Sequence, residues 1–496
     1  MKTFFFYDLE TSGFSPQNDR IMQFAGQRTD ENLNRIGEPV NILVKLNDDV
    51  LPSPSALMVT KISPQKTIEE GYTEAEFSKM LVEDFFTPDT VIVGYNNVRF
   101  DDVHIQHLLW RNFYPPYDWQ WKENRSRWDL LDVVRMIRAL RPEGINWPFI
   151  ENDKTGEKFA SNKLELKTGE KFASNKLELL TKENGISHEN AHDALSDVDG
   201  LIDVARLLKE KQPQIFEYLF KMRSKNEVQK MINLENPKPF LYTSGRFKVE
   251  FEKTTAAYPI APAKNKNVIV WDLRFSPEDF LDWSAEQILE NITADFETRS
   301  QADFKPIAAK ILQYNKCPAV APIGVLNEEN QERLNLKLAD IQKNLDLLRK
   351  NPHFAENIRS AFEKRDEISK ERHENISLSP EARLFEGFLS RSDEIKAEAV
   401  RNSTARELAD FHPDFNDERL NGLLLHYKAR SFPKSLSSQE KELWEEYRAE
   451  NLKKMLPKFM KEFQEAATRE NLNTQEQFIL EDIKLWLENV LPDSES

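Results

Sequence analysis

The chain has 496 residues, of which 39% are hydrophobic, 31% charged and 10% aromatic. At about 150 residues per domain this means roughly three domains with enough apolar material for real cores, which excludes wholesale disorder. A single cysteine, Cys317, excludes an intramolecular disulfide framework and a cysteine-built zinc site, and the net charge of −16 weighs against a nucleic-acid binder unless basic residues line a groove or cations serve a carboxylate-rich site.

The N-terminal run Phe4–Tyr7 is too short for a secretion signal and is closed by Asp8. No stretch reaches the ~20 apolar residues of a membrane span. The expectation is a soluble, cytoplasmic protein. Phe4–Glu10 reads as a strand, as do Ile21–Arg28 and Pro39–Leu46, and their short connections favour antiparallel neighbours. Phe77, Leu81 and Phe85 give helical spacing over Thr73–Phe86, and Thr90–Gly94 is a β-branched run typical of a buried strand. Helices are expected at Asp101–Trp110, Asp129–Leu140 and Asp193–Lys211. The proline-punctuated middle third predicts short strands at Phe240–Thr243, Val268–Leu273 and Ala308–Tyr314, with a helix at Ser284–Ile292. The last third reads as helical, including Leu334–Arg349 and Ser438–Thr468, with candidate boundaries at Asn351-Pro352 and in the charged run Glu367–Glu374.

Lys154–Leu166 reads KTGEKFASNKLEL, and Lys167–Leu179 repeats it letter for letter. One tandem copy is no solenoid. It reads as a duplication carried by a surface loop, where added length costs little entropy.

Three segments carry the chemistry. Asp8 and Glu10 stand two apart on a predicted strand, so their side chains share a face. The plain reading of such a pair is a solvated strand edge; the other is a cation between the two. At Gly94–Asp102 a buried strand ends and Asp101 and Asp102 stand where a helix begins, either as N-caps or at the strand-end position where α/β ligands gather. In the third, His192 precedes a helix that Asp193 can cap, and Asp197 lies a turn further in; His188 reads as a surface histidine. Four acids and one histidine from three segments suit Mg²⁺ or Mn²⁺ rather than zinc. Two such ions can clamp the attacking and leaving oxygens of a phosphodiester while a histidine takes the proton of the attacking water.

The set Asp8, Glu10, Asp101, His192 and Asp197 resembles the DEDD-type 3′→5′ exonucleases with a histidine in the last motif, whose fold is ribonuclease-H-like. Longer blocks, Gly94–Asp102, Ser126–Val133, Leu140–Pro148 and Asn315–Pro318, are similar to the bacterial exonuclease I family, which degrades single-stranded DNA from the 3′ end. The resemblance implies an α/β domain (a ribonuclease-H-like mixed sheet with flanking helices), then an SH3-like β-rich domain and an all-helical C-terminal domain. We set these at residues 1–211, 212–360 and 361–496. They would clasp the strand for processive action.

By the same resemblance Asp8, Glu10, Asp101 and Asp197 would hold two Mg²⁺ ions, for which Mn²⁺ can substitute. His192 would be the general base, and the product a 5′-mononucleotide. Substrate contacts would come from Glu10, Lys176, Arg127, Trp128 and Phe100, with Arg99 and Arg125 as further groove candidates. Trp128 reads more readily as core, and Arg127 equally as a surface ion pair. Lys163 has the same local sequence as Lys176, but Lys176 keeps the family spacing to His192. Arg141 and Tyr218 would meet the acidic C-terminal tail of the single-strand DNA-binding protein. The chain would act as a monomer in DNA repair and recombination. Two other readings stand beside this one: an RNA 3′-trimming exonuclease using the same five residues, and a catalytically silent single-strand DNA-binding scaffold.

Overall fold

Strand β1 (Thr3–Thr11) is apolar on both faces at its start, with Phe4, Phe5, Phe6 and Tyr7 all buried, and turns polar only at Asp8 and Glu10. That pattern demands a central position in a covered sheet. The computed structural model, which describes residues 2–151, 171–188, 193–374 and 379–491, puts it there. β1 pairs antiparallel with β2 (Ile21–Thr29) and parallel with β4 (Thr90–Gly94), and β2 pairs antiparallel with β3 (Arg35–Leu43). β5 (Ser126–Asp129) completes the order β3-β2-β1-β4-β5. β3 lies about four residues earlier than the sequence predicts. Its first residues, Arg35 to Glu38, are exposed, so backbone pairing to β2 alone makes them a strand and no apolar pattern marks them.

The chain divides into two compact units: Met1–Arg127, His188–Ile202 and Leu378–Ser496 form one, and Trp128–Ser187 with Asp203–Ser377 the other. In the first, Phe5, Tyr7 and Leu9 pack with Phe24, Phe77, Phe86 and Leu108 under the sheet. A second cluster joins Met22, Leu46 and Leu57 to Leu452, Phe459, Ile483 and Trp486 of the C-terminal helices Ser438–Ala467 and Thr474–Val490. The short helices Pro54–Thr60 and Pro64–Glu70 escape the sequence reading. Each begins with a serine N-cap followed by proline, a start signal too brief to show periodicity. The helix expected over Thr73–Phe86 is Glu74–Met80 closed by a π-helical turn, Leu81–Phe85.

In the second unit the helix Leu130–Leu140 is capped by Asp129, and β6 (Phe149–Glu151) pairs antiparallel with β7 (Lys171–Ala173). Five further strands, β8 (Phe240–Thr243), β9 (Thr254–Ala263), β10 (Asn267–Asp272), β11 (Ala309–Leu312) and β12 (Ala319–Pro322), form an antiparallel sheet in the order β11-β10-β9-β8-β12. Tyr242, Val268, Val270, Leu312 and Val320 fill its core. β9 was hidden by Pro259 and Pro262. The ladder with β10 shifts register beside Pro259, the kind of irregularity that admits proline to a strand. Of the candidate boundaries, Asn351-Pro352 lies inside the second unit, whereas the charged run Glu367–Glu374 stands just before the division between Ser377 and Leu378. Asn351-Pro352 starts the helix Pro352–Glu374, and the charged run Glu367–Glu374 is its C-terminal end.

Candidate active site

The alternation of β1 sends Tyr7 and Leu9 into the core and Asp8 and Glu10 to the other face, beside a register shift between Glu10 and Thr11. Both acids stay partly open to solvent. Asp101 opens the helix Asp101–Arg111 just after β4, and Asp197 sits in the first turn of the helix Ala194–Lys211. Asp193 fixes that turn by accepting the N–H groups of Leu195 and Ser196. Ligand oxygens of Asp8, Glu10 and Asp197 all lie within 4.8 Å of one another. Asp101 is their electrostatic neighbour.

Such a group is unstable as bare carboxylates. Burial, then the charges of Asp101, Glu10 and Asp197, pushes Asp8 well above the usual carboxylate range. Burial, with Asp197, Asp101 and Asp193, pushes Glu10 up to about 8. A cation relieves both causes. An all-oxygen donor set fits a hard divalent ion.

Asp102 is not part of this group. It is fully buried and accepts from the Tyr7 hydroxyl at 2.6 Å, from Asn97 Nδ2 at 3.2 Å and from Arg127 Nη1 at 2.5 Å. This network pins the loop that delivers Asp101, and it corrects the assignment of Arg127. Its guanidinium is buried against Asp102 rather than presented to a substrate. Trp128 is corrected too: it is 2% exposed, with its ring edge-on to Phe216 and Phe220 in the core of the other unit. Phe100 is half-exposed between the rings of Phe14 and His104.

His188, read as a surface residue, is instead packed in. Its side chain is 3% exposed and its Nε2 lies 2.6 Å from Asp197 Oδ1. Nothing in the local sequence separates such a histidine from an exposed one. His192 and Lys163 lie outside the described residues. Lys176 begins the helix Leu177–Glu183 with its exposed ammonium 3.6 Å from Glu178. Arg141 donates to the carbonyls of Leu140 and Val325, and the Tyr218 hydroxyl donates to Met231 Sδ. Of the groove candidates, Arg125 donates to Phe86 O and pairs with Glu123, and Arg99 is exposed.

Three family models match the chain in sequence: an exonuclease model over residues 5–205, the exonuclease I SH3-like domain over 223–364 and the exonuclease I C-terminal domain over 378–490. The expected order of ribonuclease-H-like, SH3-like and helical parts is therefore the observed one. Exodeoxyribonuclease I of Haemophilus influenzae is 36% identical over 487 residues, 97% of each chain. That of Escherichia coli is 37% identical over 449 residues, 90% of this chain and 89% of that protein. The structure of E. coli exonuclease I in complex with a dA16 oligonucleotide matches with a TM-score of 0.89 at 35% identity, covering 99% of this chain and 100% of that one. A zinc-bound E. coli complex with single-stranded DNA matches at TM-score 0.88 and 34% identity, covering 99% of each chain. An SSB/exonuclease I structure matches at 0.86 and 34% identity, covering 99% of this chain and 100% of that one.

Proposed function

The chain belongs to the exonuclease I family, and from that membership we propose that it hydrolyses single-stranded DNA processively from the 3′ end to 5′-mononucleotides, in DNA repair and recombination. The observation that carries this reading is the convergence of Asp8, Glu10 and Asp197 within 4.8 Å at a strand end, with Asp101 beside them. These four acids would hold Mg²⁺, two ions by the family's pattern, with Mn²⁺ able to substitute. When bound, such cations supply charge neutralisation for the phosphodiester and activation of water.

The protein's own groups do the rest. The Asp102 network holds Asp101 in register with β1. Asp193 holds the helix turn that carries Asp197. His192 accepts the proton of the attacking water through a ring nitrogen as the phosphorus–3′-oxygen bond breaks. Lys176 serves the substrate phosphate and Phe100 a base. Arg141 and Tyr218 contribute to a site for the acidic tail of the single-strand DNA-binding protein, supported by the SSB/exonuclease I structure of a similar protein. We infer a monomer of the cytoplasm, organised as exonuclease, SH3-like and helical domains over 1–211, 212–360 and 361–496. Among the described residues no helix is long and apolar enough to cross a membrane.

The test is digestion of 5′-labelled single-stranded DNA, blunt duplex and RNA with Mg²⁺, Mn²⁺, Zn²⁺ or EDTA, with Asp197→Ala alongside. Stepwise Mg²⁺-dependent shortening of the single-stranded DNA alone, absent from the variant, is the expected result. Shortening of RNA would favour the trimming enzyme. DNA binding with no cleavage in any metal would favour the silent scaffold.

A further inference from the structure

Lys176 carries its ammonium on a long flexible stem, so the precision of any contact it makes is set by the backbone beneath it. Lys176 does not fix that backbone itself. It opens the helix Leu177–Glu183 without a side-chain cap, and its exposed ammonium lies 3.6 Å from Glu178, a solvent-accessible pair of little worth. The fixed point is Ser174, which is 5% exposed. Its N–H donates to the carbonyl of Pro148 at 3.1 Å, which extends the pairing of β6 with β7 beyond Phe149 and Ala173. Its Oγ accepts the Lys176 N–H at 3.4 Å, and its carbonyl accepts from Arg138 Nη1 at 2.5 Å.

Arg138 is an unusual residue to find there. It sits on the helix Leu130–Leu140 and is 2% exposed although charged. Its guanidinium lies over the ring of Phe149 at 4.7 Å and that of Trp147 at 5.5 Å. An apolar side chain would fill this slot between rings without the cost of desolvating a charge. What a guanidinium adds is a rigid planar fork that stacks on rings and donates along a fixed direction. That direction leads to the Ser174 carbonyl, 36 residues along the chain. The contacts thus run from the helix, through Arg138 braced on two rings, to Ser174 and on to the backbone N–H of Lys176.

We propose that Arg138 is the positioning residue for Lys176: by holding the Ser174 carbonyl it fixes where the Lys176 ammonium meets one phosphate of the strand. The proposal rests on the exonuclease reading, with Lys176 as a phosphate contact, and adds to it what holds that contact in place. Arg138 itself is buried and points inward, so it contributes no phosphate contact of its own. Its effect on the strand must therefore pass through Lys176, and removing both residues must cost no more than removing Lys176.

The test is equilibrium binding of 5′-fluorescein single-stranded DNA in EDTA, over a range of salt, to the full chain and to Lys176→Met, Arg138→Met, Arg138→Lys and the double variant of Arg138→Met with Lys176→Met. A second set of strands carries a single uncharged methylphosphonate linkage, moved one position at a time from the 3′ end. Loss of one phosphate contact lowers the slope of log affinity against log salt by about 0.7, which is about fivefold weaker binding at about 0.1 M salt. Arg138→Met is expected to reproduce most of the Lys176→Met loss in slope and affinity, and the double variant to bind as Lys176→Met does. Arg138→Lys keeps the stem and a donor and should bind within about twofold of the unmodified protein. Both single losses should vanish at the same methylphosphonate position, a selectivity that a merely structural role for Arg138 would not produce. If Arg138→Met does not fold, Ser174→Gly, which loosens the same point of the backbone, must show the slope loss and the same position. An unchanged slope in Arg138→Met, or in Ser174→Gly in its place, overturns the proposal while Lys176→Met still loses affinity. Additive losses in the double variant overturn it as well, because Arg138 then acts apart from Lys176. If Lys176→Met binds like the unmodified protein, the phosphate contact and its positioning fail together. If the unmodified protein neither binds nor shortens single-stranded DNA, the exonuclease reading itself fails.

Discussion

Arg127 looked in the sequence like a phosphate contact, and its partner is what changes the reading. Asp102 is 0% exposed, and its carboxylate lies 2.5 Å from that guanidinium. Arg127→Ala should therefore lower the unfolding free energy by about 3–5 kcal/mol, the usual cost of stranding a buried charge, measured by urea denaturation. Asp197 is held in turn by His188. Partners behind a metal ligand typically contribute 10–100-fold in affinity. Calorimetric Mn²⁺ titration should accordingly show a loss of about that size for His188→Ala and much less for His188→Gln, which can still donate. Glu10 gives a pH prediction with a definite sign. Its carboxyl in the metal-free protein is raised to about 8, so the folded state holds a proton more tightly than the unfolded chain. The resulting stabilisation is full below pH ~4.5 and is lost as pH rises through about 8. The Tm of EDTA-treated protein should fall over that window relative to Glu10→Gln, and saturating Mg²⁺ should close the gap. The sequence made the carboxylates of this site legible because strand alternation fixes where Asp8 and Glu10 point. Strand and helix pattern alone left Asp101 and Asp102 alike, and only the family resemblance chose Asp101; the physical distinction lies in the three partners of Asp102, one of them 95 residues away.

At the scale of elements, strands with apolar faces and helices with clear periodicity were readable. The exposed start of β3, Arg35–Glu38, and the whole of β9 were not, since the one carries no apolar pattern and the other carries prolines at an irregularity. The tandem repeat shows how an element chooses between identical sequences. The second copy forms β7 and starts the helix Leu177–Glu183, where Ser174 O accepts from Arg138 and Leu180 and Thr181 are fully buried. The first copy carries the same strand residues but is followed by Lys167-Thr168 instead of Leu180-Thr181. Threading it through this position would bury an ammonium where Leu180 sits, a cost of several kcal/mol. The choice of copy is thus made by the residue after the repeat. Deleting either copy yields one and the same chain, and it keeps Leu180. Its stability should change by about 1 kcal/mol or less, since Leu180 and the described residues of the second copy are kept and a change of chain length costs little, and its nuclease rate should stay within about twofold. Leu180→Lys in the full chain should destabilise by about 3 kcal/mol or more. Thermal denaturation and the labelled-DNA assay read both variants.

For the whole molecule, the chief long-range fact is that the C-terminal segment shares a compact unit with the first 127 residues, and ions as well as apolar side chains hold it there. Arg430 bridges Asp49 at 2.7 Å and Glu381 at 2.6 Å, Arg20 reaches Glu381 at 3.0 Å, and Arg111 pairs with Glu74 at 2.6 Å. His426 Nδ1 lies 2.7 Å from Glu381 Oε1. All these side chains are buried. Pairs separated by more than 300 residues leave no trace in local pattern, which is why the sequence described the C-terminal helices but not their partner. Glu381 is the hub: although burial opposes its charge, Arg430, Arg20 and His426 hold its carboxyl well below the usual range. Its contribution is present above the unfolded pKa near 4.5 and is lost as pH falls through the lower folded value, so it adds to acid sensitivity. Removing it leaves Asp49 as the remaining anion between Arg20 and Arg430. Glu381→Ala should cost about 3–5 kcal/mol. Because Arg20 directly precedes β2, which pairs with the strand carrying Asp8 and Glu10, nuclease activity and tryptophan fluorescence should be lost in one coincident urea transition, shifted to lower denaturant in the variant. Activity that survives to the original midpoint while the fluorescence transition moves would mean that the C-terminal helices can detach without disturbing the active-site sheet.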